Sequence, residues 1–126
     1  MTQTLNTFPA PKTDAQCIQL WDAVIDAAAR ASREWLDPES GITRYPGGLG
    51  SASVKIPNRG AFAKWLIATG RGYTFASYPG VNLRTWAQYG FPETGQSESH
   101  SVHVVSAIAR VLESYGLRPD CSSYNS

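Results

Sequence analysis

Nine of the chain's eleven glycines lie between residues 41 and 92, leaving only Gly95 and Gly116 elsewhere. Glycine in a helix interior costs about 1 kcal/mol relative to alanine, so this distribution confines long helices to the two ends. Helical periodicity appears on both sides of the glycine-rich segment. Cys17, Trp21, Val24, Ala28, Ala31 and Trp35 recur at steps of three and four, with Ile18, Ile25 and Leu36 widening the stripe. Thr13 and Gln16 have the spacing of a capping box, Asp14 complements the helix dipole, and Asp37-Pro38 ends the helix. Val102, Val105, Ile108, Ala109, Leu112 and Tyr115 repeat the pattern, with Ser97 or Ser99 able to cap the start. Gly116-Leu117 reads as a Schellman stop before Pro119.

In the middle, Ser51–Ile56 and Gly72–Tyr78 alternate as short strands do. Asn58 can cap a short helix through Ala61–Thr69, and Asn82 another through Leu83–Tyr89. Pro-Gly at 46–47 and 79–80 suits the centre of a type II turn. The expected fold is α+β, with two long amphipathic helices (about 14–36 and 98–115) flanking a Gly/Pro-rich middle of short strands and two short helices. Residues 1–12 read as a flexible arm, 13–119 as a single domain and 120–126 as a frayed tail. A chain of 126 residues accommodates one such core. No apolar run is long enough to span a bilayer, and no basic start leads into an apolar stretch. The expectation is therefore a cytoplasmic protein with no membrane partner, its two cysteines, Cys17 and Cys121, reduced.

Charge is distributed as unevenly as glycine. Residues 1–40 sum to −3, residues 41–92 to +6 and residues 93–126 to −2, giving the net +1. The middle holds six basic side chains and no acid, together with nine of the fourteen aromatics. Guanidinium groups fork onto phosphate oxygens, and aromatic faces stack on bases. The segment is accordingly expected to bind a phosphorylated, nucleotide-like ligand without turnover and to sequester it. The candidate residues are Arg44, Tyr45, Lys55, Arg59, Lys64, Arg71, Tyr73, Tyr78, Arg84 and Trp86. Arg44, Arg59, Arg71 and Arg84 would grip phosphate, Lys55 and Lys64 would act as point charges, and the rings would stack. The near-neutral total weighs against a nucleic-acid polymer and leaves single-stranded nucleic-acid binding as a third, disfavoured reading. The opposing account pairs these cations with Asp22, Asp26 or Glu113 and places Phe62, Trp65 and Phe75 in the core. It leaves a protein-interaction role, as an inhibitor or assembly subunit, and no small ligand.

Several motifs imply other chemistry. Pro46-Gly47-Gly48-Leu49-Gly50-Ser51-Ala52-Ser53 resembles the phosphate loop of the galactokinase and homoserine kinase superfamily. Its spacing is one or two residues short, and Val54-Lys55-Ile56-Pro57 reads as strand and turn where that family has a helix. What carries over is a run of N–H groups able to hold an anion beside Arg44 and Lys55. Asn82–Gln88 can pass for a recognition helix, but twelve residues separate it from the helix before it, too many for the usual turn. Cys17 at a helix start, with His100 or His103 downstream, has the order of a papain-like pair; it also fits the apolar stripe. Two histidines are too few for zinc, and no cofactor motif is present. The first helix's alanine-rich stripe offers a two-fold interface, so a homo-oligomer through residues 14–36 is expected, with packing on the second long helix as the alternative.

Overall fold

Thr13 and Gln16 form the capping box: Thr13 Oγ1 accepts from the Gln16 N–H at 3.2 Å, and Gln16 Oε1 accepts from the Thr13 N–H at 3.3 Å. From that cap runs α1 (Asp14–Leu36), closed by the Asp37 N–H bonding back to Arg33 and Glu34. The structure, a computed structural model, describes residues 8–43, 50–84 and 98–125. After α1 come β1 (Gly50–Ile56), α2 (Ala61–Ala68), β2 (Gly72–Phe75), β3 (Tyr78–Leu83), α3 (Glu98–Ser114) and β4 (Asp120–Asn125). The fold is α+β, and the four strands make one antiparallel sheet in the order β2-β3-β1-β4.

Alternation along the strands decides which side meets the helices. Ala52, Val54 and Ile56 on β1 and Val81 and Leu83 on β3 are buried, and Val81 is the cross-strand partner of Ile56. Against this face α3 packs on β1 and β4, and α2 packs on β2 and β3. Helix α1 lies on α3 and α2, so one cluster joins Leu20, Trp21 and Val24 to Phe62, Leu66, Val104 and Ile108. Cys17, Leu20, Trp21, Val24, Ala28 and Ala31 of α1 are thereby buried within one chain, while Ile18 and Leu36 at the margins of the stripe stay exposed. Among the described residues, no helix is long and apolar enough to cross a membrane.

Glycine has a packing role where α2 meets the sheet. A Cβ on Gly72 would sit 2.7 Å from Val81 Cγ1 and 2.9 Å from Leu66 Cβ. Neither neighbour yields easily, since one is a buried β-branched side chain and the other the root of a helical residue. Gly72→Ala is expected to cost about 1–3 kcal/mol by overpacking, read as a lower urea midpoint with unchanged slope.

The structure revises several sequence expectations. The alternating run 72–78 is two strands joined at Ala76-Ser77, not one. Pro79-Gly80 is not a turn centre but part of β3, where Gly80 at φ +106 bends the strand start. Asn82 and Leu83 lie in the same strand, so they cap no helix and begin no recognition helix; residues 85–89 lie outside the described residues, as does Pro46-Gly47. Helix α2 has Gly60, not Asn58, at its N-cap. Ser99 lies inside α3, and Ser97 is outside the described residues. The tail is not frayed: β4 pairs with β1 from Lys55↔Asp120 to Gly50↔Asn125, which bonds the β1-facing half of its backbone groups and leaves the other half at the sheet edge. The described part of the arm is docked on its own chain, with the Phe8 N–H on the Ser114 carbonyl and its ring stacked on Tyr115.

Candidate functional site

The face of the sheet turned away from the helices carries the polar half of the alternation. Tyr78, Gly80 and Asn82 project there from β3, followed by Arg84 just past its end. Register places Lys55 and Tyr73 on either side of Asn82, and Phe75 opposite Tyr78. The β2–β3 loop has no residue at positive φ, which excludes the primed turns, and the ladder shifts register between Tyr73 and Phe75. Tyr73 and Phe75 remain on one side, their rings edge to face at 5.1 Å. Phe75 is 52% exposed and Tyr78 64% exposed. Phe75 is therefore surface, not core.

Cations flank these rings. The Arg84 guanidinium lies 4.4 Å from the Tyr73 ring centroid. Lys55 runs past Gly80, where a Cβ would stand 3.3 Å from Lys55 Cδ and 3.0 Å from the Ile56 carbonyl oxygen. The missing side chain lets the lysine stem lie along the strand, bringing Nζ to 5.8 Å from the Tyr78 ring centroid. Beyond Lys55 is an open cleft of about 400 Å³, lined by Lys55, Arg59 and Arg118 with Pro57, Pro79 and Gly80. That volume falls within the range of small-ligand sites. Three cations line it and no carboxylate does. Asp120 reaches Lys55 from the side at 3.9 Å and is itself well exposed, so solvent weakens that pair.

The expected site residues do not gather in one place. Lys55, Arg59, Tyr73, Tyr78 and Arg84 lie on or beside the outward face. Lys64 is exposed on α2, on the helical side. Arg71 is joined to Arg84 through the backbone (Arg84 N–H to Arg71 carbonyl, 2.8 Å), yet its guanidinium turns to Trp65 at 4.8 Å and Trp21 at 5.9 Å. Arg44, Tyr45 and Trp86 lie outside the described residues. Pairing of the middle's cations with the acidic helices is not what the described residues show. Asp26 pairs with Arg30 inside α1, and among the described residues only Lys55 of the middle segment makes an ion pair.

Sequence reasoning missed Arg118 because it lies outside the acid-free segment. Only the β1–β4 pairing brings it to the cleft, and the one signal for that pairing was the tail, read as frayed. The cysteine–histidine pair does not form. Cys17 is buried at the start of α1, where burial and then Asp14 push its thiol upward, the reverse of an activated nucleophile. Ser32, fifteen residues and about 22 Å further along the helix, shares a 3.0 Å hydrogen bond with buried His100. His103 donates to Glu34 at 2.7 Å. Both histidines are thus part of α1–α3 packing. Both cysteines are free, and among the described residues no cluster of three metal-ligating side chains occurs.

A second cavity, of about 450 Å³ between α1 and α3, is lined by Ala27, Ala31 and Ala107 with Arg30, Arg110 and Glu34. Its one carboxylate, Glu34, makes it suit an anion less well than the cleft does. No family model matches the chain, and no curated protein or solved structure matches it either.

Proposed function

We propose that this protein binds and sequesters a phosphorylated, ring-bearing ligand of the nucleotide class on the outward face of its sheet. Phosphate oxygens meet Lys55, Arg59 and Arg118, and the ring lies on Tyr78. The observation that carries this reading is the convergence of three cations on one carboxylate-free cleft beside an exposed aromatic ring. Arginine donates in a planar fork suited to phosphate, while lysine adds a compact charge. Tyr78 offers a flat, exposed ring held at a strand position, and an aromatic side chain with two torsions has little freedom to lose on stacking.

The test is a thermal shift against nucleoside mono-, di- and triphosphates, cyclic dinucleotides and inorganic phosphate. Ligand at ten times its Kd stabilises the native state by about 1.4 kcal/mol. For a domain of this size that raises Tm by roughly 4 °C. Ring-bearing phosphates are expected to give this rise and inorganic phosphate a smaller one. No rise with any of them at millimolar concentration sinks the reading.

A further inference from the structure

We infer that the ligand is a single-stranded nucleic acid of two or more nucleotides, laid along β3 from the cation cleft to Arg84; this rests on the reading above. The cations of the outward face fall into two groups. Lys55, Arg59 and Arg118 surround the cleft beside Pro79-Gly80, and Arg84 stands past the other end of β3 on the Tyr73 ring. At about 3.3 Å per residue, Gly80 and Arg84 are roughly 13 Å apart and Tyr78 and Arg84 roughly 20 Å. One phosphate group cannot touch both ends. A ligand that uses both carries phosphates separated by at least one nucleoside.

Rings line the same face, Tyr73 between the two cation groups and Tyr78 with Phe75 at the cleft end. Tyr78 and Phe75 face each other across β3 and β2, and Tyr73 stands two positions from Phe75 on the same side. Each can stack a base, and every base has a π-face, so such a row is sequence-tolerant. Arg84 lies against Tyr73 and makes no ion pair among the described residues. A guanidinium stacked in this way keeps its N–H edge available for a phosphate oxygen. Asn82, between Lys55 and Tyr73, is 6% exposed and forms the floor beneath the row, not a contact with a base. A duplex is a poor fit, because pairing and stacking cover the base faces that these rings would meet. The net charge of +1 limits long-range attraction, while four cations grouped on one face supply short-range contacts.

Fluorescence anisotropy and calorimetry with thymidine monophosphate, thymidine oligomers of two, four and eight nucleotides, a uridine octamer and a duplex test the inference. Affinity is expected to rise at least tenfold from the monophosphate to the tetramer. Four phosphate contacts predict a log–log salt slope near −3, so octamer affinity falls about 60-fold between about 50 and 200 mM salt. Tyr78→Ala and Tyr73→Ala should each lower tetramer affinity about tenfold. Arg84→Gln should weaken the tetramer more than the monophosphate. Arg110→Gln, on the opposite side of the molecule between α1 and α3, should change neither, and circular-dichroism melting verifies that each variant folds. Tighter binding of either the deoxy or the ribo octamer supports the inference and names the preferred sugar. Equal affinity for monophosphate and tetramer overturns it and leaves the nucleotide reading standing, as does duplex binding equal to that of the single strand. Binding of none of the probes overturns both.

Discussion

Reversing the charge of the cleft with Arg59→Glu and Arg118→Glu together is expected to abolish ligand-induced stabilisation and leave the free protein's Tm within about 2 °C of its starting value. Each arginine is exposed and makes no ion pair among the described residues. Surface substitutions of that kind change stability by about 0.5 kcal/mol or less. The effect on binding is larger by far. Two charge-assisted contacts of about 1.5–3 kcal/mol each are lost, and two carboxylates then repel phosphate. Affinity should fall at least 100-fold, which is about 2.7 kcal/mol. The pair of measurements separates two accounts of the same residues. If the arginines serve the fold, Tm drops and any residual binding scales with the folded fraction. If they serve a ligand, Tm holds and the ligand shift disappears. Persistence of the full shift in the double variant places the ligand elsewhere.

How much of this could be read from sequence depended on the range of the interactions involved. The start of α1 was legible because Thr13 and Gln16 act on each other three residues apart, and the end of α3 because Gly116, at φ +79, and Leu117 fold back on Leu112. Both are local devices. The strands were harder, because alternation identifies an extended segment but not its partner. Residues 73–78 hold no glycine or proline, so the turn at Ala76-Ser77 leaves no local signal in the sequence. Pro79-Gly80 suits a turn by composition; the positive φ of Gly80 is real, but it falls inside a strand beside the Lys55 stem. The polar tail 120–125 has no apolar stripe at all. It becomes a strand because Val54 and Lys55 offer a free edge and Cys121 reaches the Val105 carbonyl.

The site shows the same division. Charge segregation singles out candidate side chains for a local reason, the absence of acid over a contiguous stretch. It could not say which way each one turned. Arg71 and Arg84 are adjacent through their backbones and diverge to rings on opposite sides of the sheet, a consequence of where Trp65 and Tyr73 happen to lie. Arg118 joins Lys55 only through a strand pairing that spans most of the domain. Composition finds candidates, and tertiary pairing decides which of them share a ligand.

Phe62→Ala should be the most damaging single substitution, costing about 3–5 kcal/mol and lowering Tm by roughly 15 °C. The reason lies in how little else holds α2. The helix has eight residues, a glycine N-cap with no side-chain hydrogen bond, no acid in its first turn and no base in its last. Eight residues are too few for a helix to persist on propensity, so packing must supply the stability. Phe62 is 2% exposed, stacks on Trp65 at 5.7 Å and shares the core with Leu66 and Ala63. Truncation leaves a cavity where α2 meets β2 and β3 and withdraws a ring from Trp65, which also supports Arg71. Typical domains have only about 5–15 kcal/mol in total, so the loss is a large fraction of the whole. It also reaches the outward face, because β2 and β3 carry Tyr73, Phe75, Tyr78 and Asn82 on their other side. The variant should therefore bind ligand at low temperature and lose it in step with unfolding, measured by circular dichroism and anisotropy on one sample. Ligand loss well below the unfolding transition would mean that α2 positions the strands individually and does not merely stabilise the whole.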